Sequence, residues 1–133
     1  MAVISTETVP VQSEPDVVAV RRRVRDASAK LGFSLVDQTK VVTAASELAR
    51  NTIIYGGGGT MQLDLLNGPR NGLRLIFEDK GPGIANIELA LRDGFTTGGG
   101  LGLGLGGAKR LVSDFEISSR PGEGTRVSIT RWK

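Results

Sequence analysis

The 133-residue chain contains no cysteine and no histidine. The first absence excludes a disulfide framework and thiol chemistry and suits a reducing compartment. The second removes Ser-His-Asp hydrolysis, imidazole zinc sites and phosphorylation on a histidine of this chain, so any base must be a carboxylate or a lysine. Aromatic residues are scarce, with one Trp and one Tyr. Stacking platforms for single-stranded nucleic acid are therefore poorly supported, and no nucleic-acid partner is expected. No apolar run approaches the roughly 20 residues of a membrane span. The opening MAVISTETVP lacks the basic-then-apolar order of a signal peptide, so the expectation is a cytoplasmic protein without a membrane partner. A G-x-x-x-x-G-K-[ST] phosphate loop is absent. Gly102, Gly104 and Gly107 formally fit G-x-G-x-x-G, but loop precedes them and no acid closes a second parallel strand downstream, which excludes a dinucleotide site of the Rossmann kind.

The length suits one domain spanning 1–133, with one site rather than several. The net charge is +3, much of it from the segment RRRVR, Arg21 to Arg25. That segment is a solvated helix face or a face turned to an acidic protein partner. ETVPVQS alternates and contains Pro10, as an edge strand does. SEPD then opens a helix with Ser13 as N-cap, Pro15 in the first turn and Asp16 three residues beyond the cap. Ser34 opens a second helix to about Tyr55, whose buried stripe should be Val41, Ala45, Leu48 and Thr52, with Val42, Ala49 and Ile53 alongside. TMQLDLL and LRLIFED read as a hairpin, NIELALRDG as a short amphipathic piece, and GGAKRLVSDF as a helix. FEISS and TRVSITRW read as the last two strands. The order β, α, α, β, β, loop, short α, β, β predicts a two-layer α/β sandwich: a mixed, mostly antiparallel sheet with its helices packed on one face.

Four constellations stand out. Glu47 and Asn51 are four apart on the second helix, one turn from each other at the margin of the apolar stripe. They are ordinary surface residues, or a carboxylate base beside an oxygen ligand for a hard cation. Asp79 ends a buried strand, with Gly81 and Gly83 at alternate positions after it. That is a plain turn, or a carboxylate that accepts from an amino group while a flat ring lies on bare backbone. Gly94 to Gly107 holds eight glycines in fourteen residues. A linker within one small domain need not be so long, and backbone amides wrapping phosphates justify the composition better. PGEGT, Pro121 to Thr125, joins the last two strands and alone needs no function.

Taken in order, ASELARN, EDKGPGI, DGFTTGGGLGLGL and GEGT resemble the N, G1, G2 and G3 boxes of the GHKL (Bergerat) ATPase and kinase superfamily. Within it the chain looks like the RsbT-type switch serine/threonine kinases, regulators of anti-sigma partner switching in bacterial stress responses. The resemblance covers about residues 35 to 130 and implies the Bergerat fold. It also implies ATP and Mg²⁺ as cofactors, with Asn51 as the metal ligand, Glu47 as catalytic base and Asp79 as acceptor for the adenine amino group. Gly81 and Gly83 would shape the adenine pocket, and Thr125 would support Asp79. The amides of Gly100, Leu101, Gly102, Leu103 and Gly104 would cradle the phosphates. The implied partners are a STAS-domain antagonist, as phosphorylation substrate, and a PP2C-type phosphatase. The alternative is an anti-sigma factor or nucleotide-gated binding module. Ile54 and Tyr55 depart from the basic residue and histidine that many histidine kinases carry there.

Overall fold

The computed structural model describes residues 2–84, 87, 91 and 104–133. Among these the order is β1 (Ala2–Val11), α1 (Glu14–Lys30), α2 (Leu35–Ile54), β2 (Gly59–Asn67), β3 (Gly72–Asp79), α3 (Gly104–Arg110), β4 (Asp114–Ser119) and β5 (Thr125–Trp132). The strands form one five-stranded sheet in the order β1-β2-β3-β5-β4.

The two-layer α/β sandwich is as expected, and in a sheet expected to be mostly antiparallel all four pairings are antiparallel. The helical pair α1 and α2 takes the chain away from the end of β1 and back to it, so β2 returns antiparallel. β3 and β4 do run the same way, but β5 lies between them, which removes the parallel contact the helical crossover would otherwise create.

Ser13 is the N-cap of α1, but its side chain makes no capping bond. Asp16 takes that work instead, accepting from the backbone N–H of Gln12 at 2.9 Å. Ser34 caps α2 as its position predicts, accepting from Asp37 N–H at 3.1 Å. Val17, Val20 and Val24 of α1 and Val41, Ala45 and Leu48 of α2 pack on Met61, Leu63, Leu73, Leu75, Phe77, Val127 and Ile129 of the inner sheet face. Each large aliphatic or aromatic side chain buried there contributes roughly 1.5–3 kcal/mol.

Helix α3 starts at Gly104 and stops at Arg110, earlier than the segment GGAKRLVSDF suggested, because Phe115 already belongs to β4. Three glycines would weaken a solvent-exposed helix. Here Gly106 and Gly107 are buried, in a helix that packs against α2. The amphipathic piece at 86–94 lies largely outside the described residues.

The sheet face turned away from the helices carries a buried carboxylate. Asp64 is 1% exposed. It accepts from Thr6 Oγ1 at 2.8 Å, from Arg74 Nε and Nη2 at 3.0 and 2.9 Å, and from Gln62 Nε2 at 3.1 and 3.3 Å. Burial pushes its pKa upward, but the bonds from Thr6, Arg74 and Gln62 outweigh it and hold the carboxyl below its ordinary range.

Candidate nucleotide site

One register row crosses the sheet at the end where α2 finishes: Val11 opposite Gly59, Gly59 opposite Asp79, Asp79 opposite Thr125, and Thr125 opposite Ser119. Strand alternation puts these residues on the same face as Met61, Phe77 and Val127, toward the helices. Asp79 and Thr125 therefore stand side by side on neighbouring strands.

Asp79 is held by what surrounds it. Its Oδ1 accepts from Gly81 N–H at 2.9 Å. Past the end of α2 the chain turns through Gly56, and a Cβ added there would sit 2.5 Å from Asp79 Oδ2. A Cβ on Gly81 would in turn sit 2.7 Å from Gly56 Cα. Gly83 has φ +78 and Gly124 φ +83, and side chains there would collide with the carbonyl oxygens of Arg120 and Asp79. Bare backbone thus encloses the carboxylate, and Gly122 N–H donates to Pro82 O at 2.7 Å, fixing the 81–84 turn to the β4–β5 hairpin.

The difference between Gly56 and the other glycines gives a prediction. A methyl group at Gly56 meets Cβ, Cγ and Oδ2 of Asp79, whereas at Gly83 or Gly124 it meets backbone carbonyl oxygens. Gly56→Ala should push Asp79 and its carboxylate aside, lower the melting temperature and, if Asp79 faces the base as the resemblance implies, weaken ATP binding about 10- to 100-fold. Titration calorimetry with a circular dichroism melt checks it, and unchanged affinity contradicts it.

Asn51 and Glu47 lie about one and two turns before the end of α2. Asn51 is half-buried, and among the described residues its side-chain amide has no hydrogen-bond partner. Glu47 is more buried than its position at the margin of the stripe predicts, at 8% exposure, on a helix against which both α1 and α3 pack. Its Oε1 is 3.7 Å from Arg50 Nη1. The carboxylate opens into a groove of about 280 Å³ between α1 and α2, which Arg21, Arg25, Thr43, Ser46 and Arg50 also line. Among the described residues no three acidic side chains gather. A divalent cation here would be held by Asn51 together with phosphate oxygens and water, which is how Mg²⁺ commonly binds beside phosphates.

The structure brings Asp79, Gly81, Gly83 and Thr125 together at one end of the sheet and places Glu47 and Asn51 on the helix leading to it. Gly104 opens α3 with φ +67. Gly100, Leu101, Gly102 and Leu103 lie outside the described residues. Sequence reasoning missed Gly56, which looked like part of a plain glycine turn, and Ser119, one serine of FEISS. The strand period places Ser119 on the inner face, but its contacts with Gly124 and Thr125 depend on the β4–β5 pairing and that with Ile84 on a segment 35 residues away.

Residues 36–133 match the family described as histidine kinase-, DNA gyrase B-, and HSP90-like ATPase. Serine/threonine-protein kinase RsbT of Bacillus subtilis is 44% identical over 125 residues, covering 93% of this chain and 94% of the relative. The anti-sigma F factor of Thermoanaerobacter is 29% identical over 110 residues, covering 79% and 77%. Among solved structures, the RsbU and RsbW domains of a Mycobacterium tuberculosis protein superimpose with a TM-score of 0.66 at 21% identity. That match covers 96% of this chain and 32% of the other, so the chain spans about a third of it. The mycobacterial sensor histidine kinase MprB gives 0.56 at 20% identity, covering 96% and 97%. At these identities the structural matches speak to the fold alone.

Proposed function

The chain belongs to the histidine kinase-, DNA gyrase B- and HSP90-like ATPase family, on the branch of the RsbT serine/threonine kinases, and from that premise we propose that it phosphorylates a small protein partner from ATP. One observation carries this reading: α2 and the β3–β5 row converge, so that a carboxylate enclosed by bare backbone lies just beyond a helix bearing Asn51 and Glu47.

Each residue then has a task. Asp79 accepts from the amino group of the base, and Gly56, Gly81 and Gly83 leave room for the ring. Asn51 is the side chain that would hold Mg²⁺, which when bound supplies neutralisation of the phosphate charge. The backbone amide of Gly104, at the start of α3, would meet the phosphates, as the family resemblance implies. Glu47 takes the proton from the acceptor hydroxyl. The hydroxyl oxygen bonds to the γ-phosphorus, and ADP leaves with the electron pair of the bridging bond. Arg21, Arg25 and Arg50 border the groove onto which Glu47 opens, which suits a substrate whose docking face is acidic.

The acceptor that fits the family is a serine of a STAS-domain antagonist in a bacterial stress-response module. Release from that antagonist would free the kinase to activate a PP2C-type phosphatase, all in the cytoplasm. A second reading follows from the anti-sigma F factor relatives: a nucleotide-gated module that sequesters a sigma factor. Turnover separates them. Protein, Mg²⁺ and γ-labelled ATP with a purified STAS partner should label that partner on serine or threonine, located by mass spectrometry. ATP binding without label, together with a stable sigma-factor complex, would favour the second reading.

A further inference from the structure

Ser119, the last residue of β4, makes three contacts with a single hydroxyl. Ile84 N–H donates to its Oγ at 2.7 Å, the carbonyl oxygen of Gly124 lies 3.0 Å away, and Thr125 Oγ1 lies 2.8 Å away. A serine hydroxyl has one proton and two lone pairs. The amide of Ile84 can only donate and the carbonyl of Gly124 can only accept. All three contacts are satisfied together in one arrangement: the Ser119 proton goes to Gly124, and the Thr125 proton enters the second lone pair of Ser119. Thr125 Oγ1 then has no proton left to give and offers lone pairs alone. Directly across the ladder stands Asp79, whose carboxylate is likewise an acceptor only.

We propose that Ser119 is a positioning residue for base selection: by taking the Thr125 proton it leaves two acceptors side by side, which admit a 6-aminopurine and reject a 6-ketopurine. This rests on the reading of Asp79 as the residue that faces the base. An exocyclic amino group brings donors to both acceptors. A 6-ketopurine would set O6 there as a third acceptor, and its one donor on that edge, N1–H, can serve only one of the two acceptors, so a polar group is left unpaired, which is what separates similar ligands strongly. Ser119 also ties the 81–84 turn to the hairpin through Ile84, but that tie serves both kinds of base equally, so the ratio of their affinities isolates the proposed role.

ATP and ITP differ along that edge, amino against keto at C6 and a bare N1 against N1–H, and both are titrated calorimetrically into wild type, Ser119→Ala, Ser119→Thr, Thr125→Val and the Ser119→Ala/Thr125→Val double variant. Wild type should bind ATP at least about 10-fold more tightly than ITP. Ser119→Ala frees the Thr125 proton to meet the keto oxygen and should narrow that ratio about 5- to 10-fold. Ser119→Thr, which keeps the hydroxyl, should restore it to within about twofold. Thr125→Val should narrow the ratio, and adding Ser119→Ala should not narrow it further, because Ser119 acts through Thr125. Equal losses for both nucleotides in Ser119→Ala overturn the proposal and leave Ser119 a structural tie. Should Ser119→Ala not fold, Thr125→Val decides, and an unchanged ratio overturns the proposal. A wild type that binds ATP and ITP equally overturns it as well, while a wild type that binds neither overturns the nucleotide reading with it.

Discussion

Glu47→Gln lowers phosphoryl transfer about 10²- to 10⁴-fold and leaves ATP affinity within about a factor of two. The substitution keeps the volume and hydrogen-bonding reach of a side chain that is 8% exposed, so the helix packing around it is preserved. It removes the negative charge and with it the ability to take up a proton, while Arg50, 3.7 Å away and 42% exposed, keeps its access to water. Glu47 faces the groove rather than the Asp79 row, and the variant should therefore show its defect in turnover and not in binding. A single-turnover assay with labelled ATP, run beside a calorimetric titration, measures both. Unchanged transfer would take the base role from Glu47 and leave it as the partner of Arg50, 3.7 Å away. A parallel loss of ATP affinity would point instead to a part in holding nucleotide.

Asp64→Ala destabilises the fold by about 3 kcal/mol without touching the nucleotide site. The carboxylate is 1% exposed and receives bonds from Thr6, Gln62 and Arg74. Its removal strands the Arg74 guanidinium in a partly buried position without its carboxylate, and an uncompensated charge there costs more than the pair itself contributes. Against a typical total of roughly 5–15 kcal/mol the loss is large, and the melting temperature should fall by about 10 °C. The double variant Asp64→Leu/Arg74→Leu should recover most of it, since no charge is then left unpaired. The pH dependence has a definite sign. The folded-state pKa of Asp64 lies below its ordinary value of 3.8. Its contribution is therefore complete above that value and is lost as pH falls through the lower folded-state pKa. Chemical denaturation of wild type and Asp64→Ala should converge in acid and stay separated near neutral pH. A constant gap down to strongly acid pH would contradict the linkage.

Much of this architecture was legible in the sequence because its signals are local. Ser34 caps α2, the apolar period of α1 falls on Val17, Val20 and Val24, and alternation in TMQLDLL and LRLIFED marks a hairpin. Asp79 at a strand tip, with glycines after it, also stood out because a rigid strand positions its last side chain. What escaped was decided by tertiary packing. Glu47 and Ser46 are buried although the helical period puts Glu47 at the margin, on a helix that packs against α1 and α3 as well as the sheet. The strictly antiparallel sheet depends on β5 inserting between β3 and β4, a choice no local pattern records. β1 runs from Ala2, well before the alternation of ETVPVQS begins, because pairing with β2 supports residues with little burial of their own. Gly56 escaped because it matters through Asp79, far along the chain, and Ser119 because its partner Thr125 is brought to it only by the β4–β5 pairing.

The central claim is that an adenine nucleotide occupies the inner-face end of the sheet, and an amide NMR titration with Mg·ATP tests it most directly. The account predicts that the amides of Gly56, Gly81, Gly83, Ile84, Gly124 and Thr125 shift on binding, while those of Thr6, Asp64 and Arg74 on the opposite face do not. Saturable binding whose shifts fall elsewhere, or no shift at millimolar ATP, would contradict it.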